Sequence, residues 1–183
     1  MSRGKIKTIL DTSILISALK SRFPSLSSAW FCLNCLKGRF LENYVSDDII
    51  EEMKFTLAIV AMEAASKKNW KGVLALADEI MRIVLLGSKK IKPRVDFSQE
   101  SHIVKTIKDE SDIKFLNVLY SAKVKFLLTQ NTKHFGNFVV SGDKTGKAKV
   151  RQHYFYVMRA GQFRTYMKNA HPSIAEKCKK GKT

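Results

Sequence analysis

Acidic residues are scarce in this sequence: 16 Asp and Glu stand against 33 Lys and Arg in 183 residues, a formal net charge of +17 at pH 7. Glycine (9), proline (3) and cysteine (3) are few as well. So little Gly and Pro excludes collagen-like and low-complexity chains, and 45% hydrophobic residues exclude a disordered one. No Gly/Ser/Pro-rich linker marks a second domain, and a 20.8 kDa chain suits a single one. Long apolar runs are missing too. Residues 55–62 and 80–87 are too short or too interrupted to cross a bilayer, and Asp11 breaks the apolar run after Lys5 and Lys7 that a secretory signal would need. An odd cysteine count without an export signal predicts a reducing, cytoplasmic setting and no disulfide framework. Cys32 and Cys35 form a CxxC, but no second ligand pair accompanies it, so both read as small core residues of a helix.

What the chain has is positive charge, at a sequence pI near 9.9. Such an excess repels itself in the folded state, and a polyanion relieves it, which points to a nucleic-acid partner. The charge is uneven: residues 141–183 hold eleven Lys and Arg against two acids.

Short apolar runs alternate with longer helical patterns, the signature of an α/β fold with a mostly parallel sheet. Strands are expected at residues 6–10, 40–45, 89–95, 124–129 and 154–158. Helices are expected from Thr12, at 25–36, 49–66, 69–86, 110–122 and 162–168. Residues 141–152 read as a basic hairpin or loop, and 171–183 as a basic, frayed tail.

Carboxylates recur at the strand–helix junctions, where open α/β sheets bind ligands. Asp11 closes the first strand, Glu52 lies one turn into the helix after residues 40–45, and Asp109 and Asp112 open the helix before residues 124–129. Asn131 follows the last of these strands. Taken singly, each such acid is most simply a helix cap. If Asp11, Glu52 and Asp112 converge, their repulsion calls for a cation, and hard oxygen ligands suit Mg²⁺ or Mn²⁺.

These residues resemble a known family. Ile6-Lys-Thr-Ile-Leu-Asp-Thr-Ser-Ile-Leu-Ile-Ser-Ala-Leu19, Val45-Ser-Asp-Asp-Ile-Ile-Glu-Glu-Met53, Asp109-Glu-Ser-Asp-Ile-Lys-Phe-Leu116 and Leu127-Leu-Thr-Gln-Asn-Thr-Lys-His-Phe135 resemble, in order, the four motifs of PIN-domain nucleases. The resemblance implies a three-layer α/β/α sandwich over residues 1–170. It implies Asp11, Glu52 and Asp112 as catalytic, metal-holding acids, with Asp109, Asn131, Ser13 and Thr129 in support. It also implies cleavage of single-stranded RNA by a Mg²⁺- or Mn²⁺-activated water. The biological role stays open among three readings: the toxin of a VapBC-type pair with an antitoxin and a homodimer, an RNA-processing nuclease, or an RNA-binding protein without turnover. Asn131 stands where many relatives carry a fourth Asp.

Other residues carry weaker signals. Lys144, Lys147, Lys149 and Arg151 are candidate nucleic-acid contacts. Aromatic rings interleave with basic residues from Arg151 to Tyr166, which fits base stacking and a core strand equally. His134 reads as a packing or hydrogen-bonding residue rather than a catalyst. The apolar stretch 56–62 is core, with a partner surface as the alternative.

Overall fold

In a computed structural model, residues 5–65 and 70–180 are described. A six-stranded sheet runs β3-β2-β1-β4-β6-β5. Its strands are β1 (Ile6–Leu10), β2 (Leu41–Val45), β3 (Ser88–Lys90), β4 (Phe126–Leu128), β5 (Lys147–Val150) and β6 (His153–Met158). All pairings are parallel except β5 on β6. β1 and β4 are central, with Ile9, Leu10 and Leu127 fully buried, as parallel strands covered on both faces require.

From β1 the chain steps outward through α1 (Thr12–Leu19) and α2 (Ser28–Lys37) to β2, then through α3 (Asp47–Ala65) and α4 (Trp70–Gly87) to β3. It returns past these strands by α5 (Ser101–Thr106) and α6 (Ile113–Ala122) to β4, on the other side of β1. Right-handed crossovers running in opposite directions along the sheet put their helices on opposite faces. Accordingly α2 packs on α4, α7 (Ala160–Ala170) and α8 (Pro172–Lys180), whereas α6 packs on β2. The fold is the expected α/β/α sandwich, and its topological switch lies between β1 and β4, where Asp11 N donates to Leu128 O at 2.9 Å.

Several expected elements differ. The tail after Pro172 is not frayed: α8 buries Ala175 and Cys178 against its neighbours, because its apolar residues recur at helical spacing between the lysines. That docking brings Cys178 to Cys35, and the two form a disulfide with a Cα–Cα distance of 5.0 Å, against the expectation of none. Cys32 stays free and buried, and burial pushes its thiol up to about 12. The basic 141–152 segment is a hairpin: β5 adds to β6, and the turn before it holds Gly146 at φ +80°. α5 and the short 3-10 turn Phe97–Gln99 were not legible, and the edge strand covers only Ser88–Lys90. The expected helix ends at Ser66 and Asn69 lie outside the described residues, as does Lys182. Among the described residues no helix is long and apolar enough to cross a membrane.

Candidate metal centre

Asp11 follows β1 directly and caps α1. Its Oδ1 accepts from the Ser13 amide at 3.2 Å, and its Oδ2 accepts from the Ser13 hydroxyl at 2.8 Å and from Thr129 Oγ1. Thr129 continues β4, so two adjacent parallel strands present an acid and a hydroxyl to the same point. The Ser13 and Thr129 hydroxyls lie 3.3 Å apart, and each also accepts a backbone donor from the next loop, Gln130 N and Asn131 N respectively, at 2.9 Å. This network fixes Asp11, which is 7% exposed.

Asp109 and Asp112 bracket the 3-10 turn Glu110–Asp112 that leads into α6. Asp109 caps it, accepting from the Ser111 amide at 3.0 Å and hydroxyl at 2.7 Å, and these bonds hold its carboxyl below the usual range. Asp112 is 9% exposed and behaves oppositely. Burial, reinforced by the negative charges of Asp11 and Asp109, raises it to about 6 against the favourable hydrogen bond from His134. Asp11 and Asp112, 101 positions apart, are therefore close enough for one charge to act on the other. His134 Nδ1 lies 2.7 Å from Asp112 Oδ2. With Asp112 ionised, Nδ1 donates the proton of this bond.

Asp109, Asp112 and His134 each offer a ligand atom within 4.8 Å of the others. Asp11 and Glu52 are outside that trio. Glu52 sits on α3, where its carboxylate accepts from Thr12 Oγ1 and pairs with Lys114. Thr12 and Lys114 are sequence neighbours of Asp11 and Asp112, so Glu52 is held at the rim of the same pit with its charge already balanced. Asn131 supplies backbone contacts, its carbonyl accepting from His134 N at 3.0 Å, and its side chain makes no cap bond. Sequence reasoning gave His134 a hydrogen-bonding role but missed Lys114. The signal for Lys114 was its place two residues after Asp112, in an acid-rich strand–helix junction.

The donor set fits a divalent cation. Two carboxylates and an imidazole converge, and burial, with the charges of Asp11 and Asp109 added to it, raises the proton affinity of Asp112, a penalty on its ionised form that a bound cation would offset.

The candidate nucleic-acid residues lie elsewhere. Lys147 and Lys149 flank the exposed Tyr154 ring at 4.8 and 5.1 Å. Arg151 pairs with Glu100 and stacks over Phe97 and Tyr120, a structural role. Lys144 borders a cavity with Tyr156 and Tyr166. Of the interleaved aromatics, Phe155 and Phe163 are core and Tyr154 is 49% exposed.

A family profile described as a PIN domain matches residues 7–133. A solved structure, that of PAE2754 from Pyrobaculum aerophilum, is similar in fold at a TM-score of 0.54. It shares 13% identity over 92% of this chain and 94% of its own. No curated protein sequence matches the chain. With most of its length under that profile and its sheet, switch point and acid cluster arranged as described, the chain belongs to the PIN-domain family, whose members are generally metal-dependent nucleases.

Proposed function

We propose that this protein is a Mg²⁺- or Mn²⁺-dependent endoribonuclease acting on single-stranded RNA. The observation that carries the reading is Asp112. It is a buried carboxylate with its proton affinity raised to about 6, set between Asp11, Asp109 and the His134 imidazole on a molecule of net charge +17. Asp109 and Asp112 would hold the ion, with His134 Nε2 or Asp11 completing its protein ligands. Bound there, the ion supplies charge neutralisation and activates water for phosphodiester hydrolysis. The chain does the rest. Ser13 and Thr129 hold Asp11 aimed, His134 orients Asp112, and Lys114 holds Glu52 at the rim.

The test is Asp112→Asn. Cleavage of a labelled single-stranded RNA should fall by about 100-fold or more, while RNA binding in EDTA stays intact. In parallel, millimolar Mn²⁺ should raise the thermal midpoint of the wild type and leave that of the variant unmoved. Full cleavage by Asp112→Asn would remove the acid from the reaction.

A second reading, an RNA-binding protein without turnover, draws on the Glu52–Lys114 pair, which balances an acid that the family resemblance assigns to the metal. Wild-type protein that binds RNA but neither cleaves it nor responds to Mn²⁺ would favour it. For the toxin role and its antitoxin or homodimer partner, the supporting feature is a stripe on α3. Phe55, Ile59 and Met62 stand 68%, 40% and 69% exposed at helical spacing, where a second protein surface would cover them. Sedimentation of Phe55→Lys against wild type tests the self-association.

A further inference from the structure

Three cavities adjoin one another away from the acidic pit. The first, of about 490 Å³, is walled by Lys125, Lys144, Tyr156 and Tyr166. The second, about 350 Å³, shares Lys125 and Tyr166 with it and adds Lys5, Lys7, Lys123 and His171. The third, about 410 Å³, shares Lys7 and Lys123 with the second and adds Lys92, Arg94 and Tyr44. Shared walls make them one trough. Its middle lies at the amino ends of β1 and β4 beside the carboxyl ends of α6 and α7, and the first cavity extends along β6 to Met158 and Gln162; Asp11 and Thr129 stand past the carboxyl ends of β1 and β4. β1 puts about 15 Å between Ile6, in the middle cavity, and Asp11.

Among the described residues no Asp or Glu lines any of the three cavities. The nearby acids are engaged: Glu42 accepts from the Tyr44 hydroxyl and pairs with Lys89, and Asp143 accepts from the Thr145 amide and hydroxyl. Three of the cations already lie near rings, Lys7 at 5.5 Å from Tyr44, Lys123 at 3.7 Å from Tyr120 and Lys125 at 5.5 Å from Phe126, and Lys7 also donates to Ala122 O at 3.0 Å. A line of cations with no acid among them and half-buried aromatic edges beside it is the chemistry that holds a flexible phosphodiester chain and its bases. Tyr156 stacks on Phe126 and Tyr166 on Phe163, and both half-buried rings also line the first cavity, where a base can stack on them and the side chains of an acidic polypeptide cannot. The trough crosses β6, β4, β1 and β2, about 15 Å at ordinary strand spacing, and so presents charge along a line rather than at one phosphate.

We propose that this trough is a second binding surface for single-stranded RNA, distinct from the acidic pit. It anchors the strand by its backbone without reading sequence. This goes beyond the proposed cleavage and does not depend on it.

The experiment measures anisotropy of a fluorescein-labelled oligouridylate in EDTA, on an Asp112→Asn background so that turnover plays no part. Replacing Lys92, Lys125 and Lys144 by Gln should weaken binding about tenfold and lower the slope of log K against log salt by about 2. A charge-matched control, Lys54, Lys105 and Lys177 replaced by Gln on α3, α5 and α8, should change affinity by about twofold or less. Equal losses in both triples would mean that net charge alone binds RNA, and unchanged affinity in the trough triple would mean that it is not used. Either result overturns the proposal. Competition by polyglutamate as strong as that by unlabelled RNA would assign the trough to an acidic polypeptide and overturn it as well. Matching circular dichroism spectra ensure that the comparison is between folded proteins. Loss of cleavage in Asp112→Asn tests the acidic pit separately.

Discussion

Asp112 shows how a single position carries opposite demands for stability and function. Its carboxyl is raised to about 6 in the fold, against an ordinary value of 3.8. A proton is therefore bound more tightly by the folded state. The stability this gives is fully present below about pH 4 and is lost as the pH rises through 6, amounting to about 3 kcal/mol at most. In metal-free protein, Asp112→Asn should match the wild type near pH 4 and exceed it near pH 7 by several degrees in thermal midpoint, about 5 °C. A constant difference across that range would show that Asp112 is not the group losing its proton. His134 was legible as a hydrogen-bonding residue, but its partner was not, because 22 positions separate it from Asp112. Glu52 was legible as an acid at a strand–helix junction. That Lys114 neutralises it depends on α3 meeting α6, which no local pattern records.

At the scale of elements, caps and periodicity gave helix positions well and the ends of the chain poorly. Asp11 and Asp109 cap as their residue type suggests, whereas the second helix, expected from residue 25, starts at Ser28 with Ser27 as its cap. The basic hairpin depends on Gly146: at φ +80°, an added Cβ would lie 2.4 Å from the Val157 carbonyl oxygen, and Gly146 O accepts the Val157 amide at 2.8 Å. Gly146→Ala should destabilise the protein by about 2 kcal/mol or more, read from the urea midpoint, because both the strain and the lost approach fall on the strand that joins β4 to β5. α8 was misread since its lysines look like a solvated tail. Its apolar residues matter only once α2 and α7 are there to receive them. The resulting Cys35–Cys178 link has a direct check: in denaturant without reductant one thiol, that of Cys32, should react with alkylating reagent, and all three should react after reduction.

The whole molecule separates its charges. Net charge +17 surrounds a pit where Asp11, Asp109 and Asp112 gather, and the basic trough centres on the amino ends of β1 and β4. RNA affinity of the full chain should therefore fall steeply with salt, whereas the Mn²⁺ shift in thermal midpoint should be less sensitive, since buried charges are screened little. Measuring both at low and high NaCl distinguishes the two sites. The excess of positive charge was plain from composition. Its division between the Arg151–Glu100 pair, the Tyr154 clamp and the basic trough was not, because each depends on which acids the fold has already used.

By itself the sequence determined the order of the main strands and helices from β1 to β4, the family and the positions of the strand-end acids, since periodicity, capping and motif spacing are local properties of the chain. Only the tertiary structure decided which donors share a point, that Lys114 answers Glu52, that α8 is stapled to α2, and where the cations line up. Those are outcomes of long-range packing: contacts between residues tens of positions apart exist only after the sheet has brought β1 and β4 side by side.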